Sequence, residues 1–148
     1  MAAATDRLER YRSASPERTE AIAAALAAEL GPGDVVLLHG ALGSGKTTFV
    51  RGAARALGVR GPVTSPTFTI GRRYAGDVAV SHLDLHRLAG AGLAGEDAAL
   101  LDDYLTADAV AFIEWPEAAA GAIAEPAASV EIAHAGGDAR TITIARRR

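Results

Sequence analysis

Cysteine is absent from this chain of 148 residues. That absence excludes disulfide bonds, thiolate metal sites and cysteine nucleophiles. Long apolar runs are absent too, so no stretch is able to span a bilayer, and charges lie where a signal peptide has its apolar core. We therefore expect a cytoplasmic protein that does not contact membranes. A formal net charge of -3 also argues against a stand-alone nucleic-acid binder, which normally carries a basic surface.

Lysine is the scarcest of the charged residues. Lysines and arginines number 15 together, and Lys46 alone is a lysine. It lies in the stretch GALGSGKT, residues 40–47, which fits the phosphate-binding pattern G-x-x-x-x-G-K-[ST] at every fixed position. An apolar run precedes the pattern, as in a strand, and a helical periodicity follows it. This context favours nucleotide binding over the alternative, a glycine-rich turn that only caps a helix.

The residue types of this loop suit ATP and Mg²⁺. Glycines let backbone N–H groups wrap closely around a phosphate chain, and the helix dipole faces the anion. We expect Lys46 to reach the β- and γ-phosphates and the Thr47 hydroxyl to bind Mg²⁺. A compact ammonium suits a closed loop beside a metal ion better than the wide guanidinium used elsewhere in the chain. The predicted phosphate-binding residues are Gly43, Ser44, Gly45, Lys46, Thr47 and Thr48.

Two carboxylates lie where predicted strands end, and such a loop needs an acid for Mg²⁺ and one to orient the attacking group. Asp84 lies in SHLDLHRL, and Glu114 follows the apolar run AVAFI. For each, the alternative is a solvated charge at a strand end. Which of the two faces the metal stays open.

Thr67, which follows a proline in TSPTFTI, is a candidate switch residue. Its hydroxyl is predicted to sense the γ-phosphate or the metal. An ordinary Ser-Pro turn is the alternative for this segment.

Strands alternating with helices predict an α/β fold. We expect a P-loop NTPase fold, with a mostly parallel central sheet flanked by helices. The first helix is predicted to have Ser15 as its N-cap and Pro16 as its first residue. Residues 136–138, between two apolar strands, predict a C-terminal antiparallel hairpin.

The sequence shows no internal repeat and no linker, so residues 1–148 are predicted to form a single domain. Residues 1–12 and 145–148 are expected to be flexible. The free chain is expected to be a monomer.

Four motifs, in chain order, carry a resemblance to a known family: GALGSGKTTFVRG, VTSPTFTI, HLDLHRL and FIEWPE. Together they resemble the TsaE-type ATPases, also called the YjeE family, of bacterial tRNA threonylcarbamoyladenosine biosynthesis. The match extends over nearly the whole chain, and the four motifs together are specific, whereas the first alone is shared with many unrelated proteins.

The resemblance implies a compact ATPase that hydrolyses ATP slowly with Mg²⁺. It also implies two partner proteins, which transfer a threonylcarbamoyl group to N6 of adenosine 37 in tRNAs reading ANN codons. The ATPase supports repeated turnover of those partners and does not transfer the group itself. Contact with tRNA is implied only through the complex.

The resemblance also implies residue roles by position. Lys46 and Thr47 match the phosphate and Mg²⁺ ligands. Glu114 matches the second Mg²⁺ ligand, and Asp84 matches the catalytic acid. Thr67 matches the switch threonine.

Four further positions matter to the comparison with the family. Thr19 falls where the family approaches the adenine, and Trp115 matches the tryptophan beside the metal ligand. Ala41 replaces an acid that is frequent in the family, and His86 replaces a frequent tyrosine. Neither departure falls on an expected metal or phosphate ligand, but both bear on the hydrolysis rate or the partner contact.

The residues alone leave two other functions open. A small-molecule kinase would use the same loop with an acid as its base, although the chain is short for one and shows no evident arginine-rich lid. A nucleotide-gated binding module with negligible catalysis would use the TSPTF segment as its switch.

Overall fold

The computed structural model describes residues 7–66, 69–86, 96–117, 119, 123 and 125–147. The candidate switch residue Thr67 lies outside these residues. The helices and strands of the described part are, in chain order, β1 (Arg7–Ser13), α1 (Pro16–Ala27), β2 (Val35–His39), α2 (Lys46–Ala56), β3 (Gly71–Tyr74), β4 (Ala79–Asp84), α3 (Glu96–Asp102), β5 (Ala109–Glu114), β6 (Ala128–His134) and β7 (Arg140–Arg146).

These strands form one sheet in the order β1-β7-β6-β2-β5-β4-β3. The central strands β6, β2, β5 and β4 are parallel to their neighbours within that group. The pairs β1–β7, β7–β6 and β4–β3 are antiparallel. The α/β class and the C-terminal hairpin are therefore confirmed. The expectation of a mostly parallel sheet is wrong, because antiparallel strands extend the parallel centre on both sides and make the sheet mixed.

Helices α1 and α2 pack together against one face of this sheet. The Ser15 side chain accepts a hydrogen bond from Arg18 N at 3.1 Å, and Pro16 is the first residue of α1, as the sequence predicts. No helix in the described ranges has the length and apolar character needed to cross a membrane. The buried residues at this helix–sheet interface include Ile22, Leu26, Val36, Leu38, Phe49, Val50, Val80, Val110, Phe112, Val130, Ile132, Ile142 and Ile144.

A smaller apolar cluster covers the opposite face near β4 and β5, and Leu101 of α3 belongs to it. Parallel strands end at the same edge of a sheet. Here β2 ends at His39, β4 at Asp84 and β5 at Glu114. The topology therefore brings two predicted site carboxylates to the edge from which the glycine-rich segment starts.

Residues 7–12 and 145–147 belong to the two ends for which the sequence predicts flexibility, and the structure gives them backbone partners. Strand β1 pairs with β7 along its whole length, and the Arg147 N–H donates to Ala127 O at 2.9 Å. The buried Arg146 guanidinium contacts the carboxylates of Glu9 and Glu29. An edge strand rich in charged residues lacks the apolar pattern that indicates a strand, so sequence periodicity does not reveal it.

Gly52 of α2 lies where that helix contacts α1. A Cβ added to Gly52 would lie 2.4 Å from Glu20 O and 2.5 Å from Glu20 Cα, which are backbone atoms. Alanine is normally favoured over glycine in a helix by about 1 kcal/mol. We expect Gly52→Ala to reverse this preference and to lower the free energy of unfolding by about 1–3 kcal/mol, measured by urea denaturation.

Gly61→Ala provides the control, because no atom lies within 4 Å of the added Cβ at Gly61. Its effect on the free energy of unfolding should stay within about 0.5 kcal/mol. A Gly52→Ala protein as stable as the unsubstituted chain would contradict the close approach of α1 and α2.

Candidate functional site

The glycine-rich loop, residues 40–45, joins the end of β2 to the start of α2. A Cβ at Gly40 would lie 2.5 Å from Ile132 O and 2.7 Å from Ser44 Oγ, so only glycine fits between β6 and the loop. Gly45 has a φ of 113°, in the left-handed region that favours glycine. The loop thus leads directly into α2. The backbone N–H groups of the first helical turn, which have no partner within the helix, therefore lie beside the loop.

Lys46, the first residue of α2, is buried behind this loop. Its Nζ donates hydrogen bonds to Gly40 O and, at 3.2 Å, to Ala41 O. The same Nζ lies 4.5 Å from the centre of the Trp115 ring, which is a cation–π contact. Burial lowers the pKa of the Lys46 ammonium, and the negative charge of Glu114 is the largest of the effects that offset the shift.

Two carboxylates stand opposite Lys46, one at the end of each of two neighbouring parallel strands. Asp84 and Glu114 are paired in the β4–β5 register. Glu114 is nearly fully buried, and its Oε2 accepts a hydrogen bond from Thr47 Oγ1 at 3.3 Å. Asp84 accepts from Ser65 Oγ at 3.3 Å and from the His86 N–H at 3.0 Å. Both acids line the same cavity as Lys46 and Thr47 at the start of α2.

Trp115 follows Glu114 with a φ of 56°, an unusual value for a bulky residue. Its ring lies beside Lys46 and 4.6 Å from the His86 ring, centre to centre. A left-handed backbone of this kind costs about 1–3 kcal/mol and persists where the surroundings hold it. With this backbone conformation the chain leaves β5 at Trp115, and the indole lies beside the buried ammonium of Lys46.

A cavity of about 300 Å³ opens between the glycine-rich loop and the two acids. It brings together most of the residues predicted from the sequence. Its lining consists of Leu42, Gly43, Gly45, Lys46, Thr47, Thr48, Ser65, Asp84 and Glu114.

A second cavity, of about 50 Å³, shares Gly45 and Thr48 with the first. Its other lining residues are Pro16, Thr19, Ser44, Asp138 and Arg140. The predicted residues Thr19 and Ser44 therefore lie in this neighbouring space, outside the lining of the larger cavity. The Thr19 hydroxyl is 2.7 Å from Ser13 Oγ.

The donor set of the larger cavity suits a hard cation that arrives with an anionic ligand. Thr47 supplies a hydroxyl, and Asp84 and Glu114 supply carboxylate oxygens. In the described ranges, no cluster of three or more histidine, cysteine or acidic side chains is positioned to hold a metal by itself. Mg²⁺ commonly takes one or two carboxylates and completes its shell with phosphate oxygens and water, so these residues fit it.

The family model described as "Threonylcarbamoyl adenosine biosynthesis protein TsaE" matches residues 13–142. This chain belongs to the TsaE family. The resemblance carried by the four sequence motifs is therefore confirmed.

Individual members of the TsaE family are similar over most of their length. The tRNA threonylcarbamoyladenosine biosynthesis protein TsaE of Bacillus subtilis is 39% identical over 135 residues, which cover 90% of this chain and 83% of that protein. The protein of the same name from Streptomyces coelicolor is 43% identical over 116 residues, covering 76% and 77%. The crystal structure of Bacillus subtilis YdiB superposes with a TM-score of 0.77 at 33% identity, covering 99% of this chain and 90% of that one.

Two residues of this TsaE-family site were not predicted from the sequence. His82 is fully buried, and its Nε2 lies 2.5 Å from Glu114 Oε2. His82 and Asp84 are two residues apart on β4, and this spacing places both side chains on one face of the sheet. The sequence therefore contained a signal that His82 lies near the acids.

Arg140 is the second residue that sequence reasoning missed. Its Nε donates to Ser44 O at 2.7 Å, and Nη2 is 3.5 Å from Gly43 O. Nη1 donates to Gly137 O and Ala139 O at 2.9 and 3.0 Å. One guanidinium thus joins the C-terminal hairpin to the glycine-rich loop, and no local pattern in the sequence indicates such a contact.

We expect Arg140→Ala to loosen the glycine-rich loop, because the carbonyls of Gly43 and Ser44 lose a charged donor. The free energy of unfolding should fall by about 1–3 kcal/mol. Hydrogen exchange of the amides of residues 40–47 in the nucleotide-free protein should become faster.

Arg10→Ala, at an exposed arginine of β1, is the matched control and should leave that exchange unchanged. Arg140→Lys should fall between, since an ammonium lacks the planar fork that reaches the hairpin and the loop together. Unaltered exchange in Arg140→Ala would show that the guanidinium does not hold the loop.

Proposed function

We propose that this chain is a Mg²⁺-dependent ATPase that acts with two partner proteins in forming threonylcarbamoyladenosine at position 37 of tRNAs reading ANN codons. The observation that carries the proposal is the convergence of Lys46, Thr47, Asp84 and Glu114 on one cavity beside a glycine-rich loop. Membership of the TsaE family supplies the biosynthetic process. Hydrolysis is proposed to be slow and to support turnover of the complex.

A P-loop NTPase fold is part of the proposal. Its support is the succession of β2, the glycine-rich loop and α2, with parallel strands on both sides of β2. In this arrangement loop N–H groups and the helix dipole face the same space. The phosphate chain of ATP would lie there, against the backbone of Gly43, Ser44 and Gly45 and the first turn of α2.

Lys46 would neutralise the β- and γ-phosphates. In the described state its ammonium is held by two loop carbonyls and the Trp115 ring, so the charge is already desolvated near the phosphate site. A desolvated charge interacts more strongly with an incoming anion than one in water. The cavity thus offers a preorganised counter-charge.

Thr47 and Glu114 are the residues proposed to hold Mg²⁺, since both line the larger cavity and a hydrogen bond of 3.3 Å from Thr47 Oγ1 to Glu114 Oε2 keeps them together. When bound, Mg²⁺ would supply charge neutralisation of the phosphate chain. Asp84 is left to orient the attacking water and to accept its proton. Thr67 stays a proposed switch residue, on the segment that follows Ser65.

The smaller cavity supports a site for the adenosine part of ATP. It adjoins the loop at Gly45 and Thr48 and is also lined by Thr19. Because the cavity is small, it would take only part of the nucleoside unless its walls moved. Thr19 is proposed to lie near the adenine.

The remaining parts of the proposal concern the setting of the protein. The chain is proposed to be cytoplasmic, monomeric when free, and in contact with tRNA only through the two partner proteins. The biosynthetic process of the family acts on tRNA, whereas the net charge of -3 does not favour a strong independent contact with it.

Reconstitution of the modification with the two partners tests this function. We expect many product molecules per complex only when this chain and Mg-ATP are present. Asp84→Ala should lose that turnover yet keep ATP affinity within about a few-fold, because Asp84 acts on the attacking water and not on the phosphate charge. The measurements are tRNA modification over time and ATP binding by calorimetry.

Asp103→Ala, at an exposed acid just after α3, is the control and should retain full turnover. Equal multi-turnover yields of modified tRNA with and without this chain would contradict the proposed function. Full turnover in Asp84→Ala would instead support a nucleotide-gated binding role without catalysis. Transfer of labelled phosphate to a nucleoside or sugar would indicate the small-molecule kinase.

The lowered pKa of Lys46 generates a second prediction. Bound phosphates raise the pKa of this ammonium, so the ATP-bound form retains the proton at a pH where the free form has lost it. ATP affinity should therefore decline as pH rises through the free-state pKa of Lys46, which lies below the ordinary value of 10.5. Calorimetric titrations from neutral pH up to that ordinary value measure this decline.

Lys46→Arg is the matched control for that titration. Its guanidinium stays protonated over the whole range, so its affinity should be nearly independent of pH. The affinity should also be lower at the start, because the planar group does not fit the space of the ammonium. A flat profile for the unsubstituted protein over the whole range, up to the ordinary lysine pKa of 10.5, would argue against phosphate contact by Lys46.

A further inference from the structure

A buried histidine lies directly behind the proposed metal ligand. His82 is fully buried on β4, two residues before Asp84, and its register partner on β5 is Phe112. Val80, two residues further back, belongs to the core that α1 and α2 cover. Strand alternation therefore places the imidazole on the same covered face, between the apolar core and the acids.

The imidazole makes one hydrogen bond to the site. Its Nε2 lies 2.5 Å from Glu114 Oε2, and since a carboxylate only accepts, Nε2 is the donor. The same Oε2 accepts from Thr47 Oγ1 at 3.3 Å. Within the described residues, Glu114 Oε1 receives no side-chain hydrogen bond. The two oxygens of Glu114 therefore differ: Thr47 and His82 hold Oε2, whereas no side chain of the described residues holds Oε1, and the residue lines the larger cavity.

This hydrogen bond is the evident compensation for burying the imidazole. Within the described residues, His82 Nδ1 has no hydrogen-bond partner. Burying an unpaired polar group is destabilising, and an apolar side chain among core residues would avoid that cost. A histidine at this position therefore does not favour stability, but it is well placed to hold the Glu114 carboxylate.

We propose that His82 is a positioning residue, which fixes Glu114 through Oε2 so that Oε1 is presented to Mg²⁺. The inference rests on the proposed role of Glu114 as a Mg²⁺ ligand. Groups that orient metal-binding side chains in this way typically change metal affinity about 10- to 100-fold when removed. Such a residue affects ATP binding only through the metal.

The experiment measures the affinity of the full chain for ATP, first in EDTA and then over a range of Mg²⁺ concentrations. His82→Gln and His82→Asn form the central pair, because both side chains are polar amides and they differ by one methylene. The longer amide reaches the place of Nε2 and retains a donor to Glu114, whereas the shorter one does not. We expect His82→Gln to stay near the unsubstituted Mg²⁺ dependence and His82→Asn to need about 10- to 100-fold more Mg²⁺.

His82→Leu extends the comparison by removing the donor without burying a new polar group. It should show the same loss of Mg²⁺ affinity as His82→Asn, with thermal stability equal to or above that of the unsubstituted chain. Ser81→Ala is the control on the same strand, since Ser81 Oγ is also buried and has no hydrogen-bond partner within the described residues. It should alter neither measurement.

ATP affinity in EDTA reports folding and phosphate binding, and it should be the same in all four variants. Unchanged Mg²⁺ dependence in both His82→Asn and His82→Leu would overturn the positioning role, as would equal losses in His82→Gln and His82→Asn. If His82→Leu does not fold, the Gln and Asn pair decides.

Glu114→Gln separates the failure of this inference from failure of the proposed function. If the unsubstituted chain binds no Mg-ATP, the proposed function itself fails. If it does bind, but Glu114→Gln has the same Mg²⁺ dependence, the metal role of Glu114 fails and the inference fails with it. If Glu114→Gln loses Mg²⁺ affinity and His82→Asn does not, only the inference about His82 fails.

Discussion

The burial of one positive charge organises this site. An ammonium taken out of water is costly unless nearby groups compensate it. At Lys46 the compensation comes from two loop carbonyls, the face of Trp115 and the carboxylates of Asp84 and Glu114. These groups come from separate strands and from the loop, so the compensation exists only in the folded chain. The same compensation keeps the ammonium ready for an anion.

The mixed sheet explains how those groups meet. The parallel centre places the ends of β4 and β5 side by side, and Asp84 and Glu114 occupy those ends in register. The antiparallel hairpin has a different effect, since it returns β7 towards the loop and places Arg140 against the carbonyls of Ser44 and Gly43. Parallel strands thus supply the acids, and antiparallel strands support the loop that faces them.

Local signals in the sequence predicted the parts of the fold that depend on local chemistry. The loop pattern around Lys46, the cap at Ser15 and the turn before β7 were all visible because neighbouring residues determine them. Strand β1 was missed, since its charged residues form a strand only by pairing with β7. Arg140 was missed for a related reason: it contacts Ser44, which lies 96 positions earlier in the chain. Contacts at such separation leave no periodic pattern.

Two departures from ordinary stability rules flank Glu114. Trp115 has a left-handed backbone, and His82 buries an imidazole whose Nδ1 has no partner in the described part of the chain. Each departure costs about 1–3 kcal/mol, which is large beside the stability of a small domain. Both residues make a contact at the same site, because the indole contacts Lys46 and the imidazole contacts Glu114. Two costly features on either side of Glu114 are consistent with the proposed positioning role of His82, in which the orientation of the carboxylate matters as well as its charge.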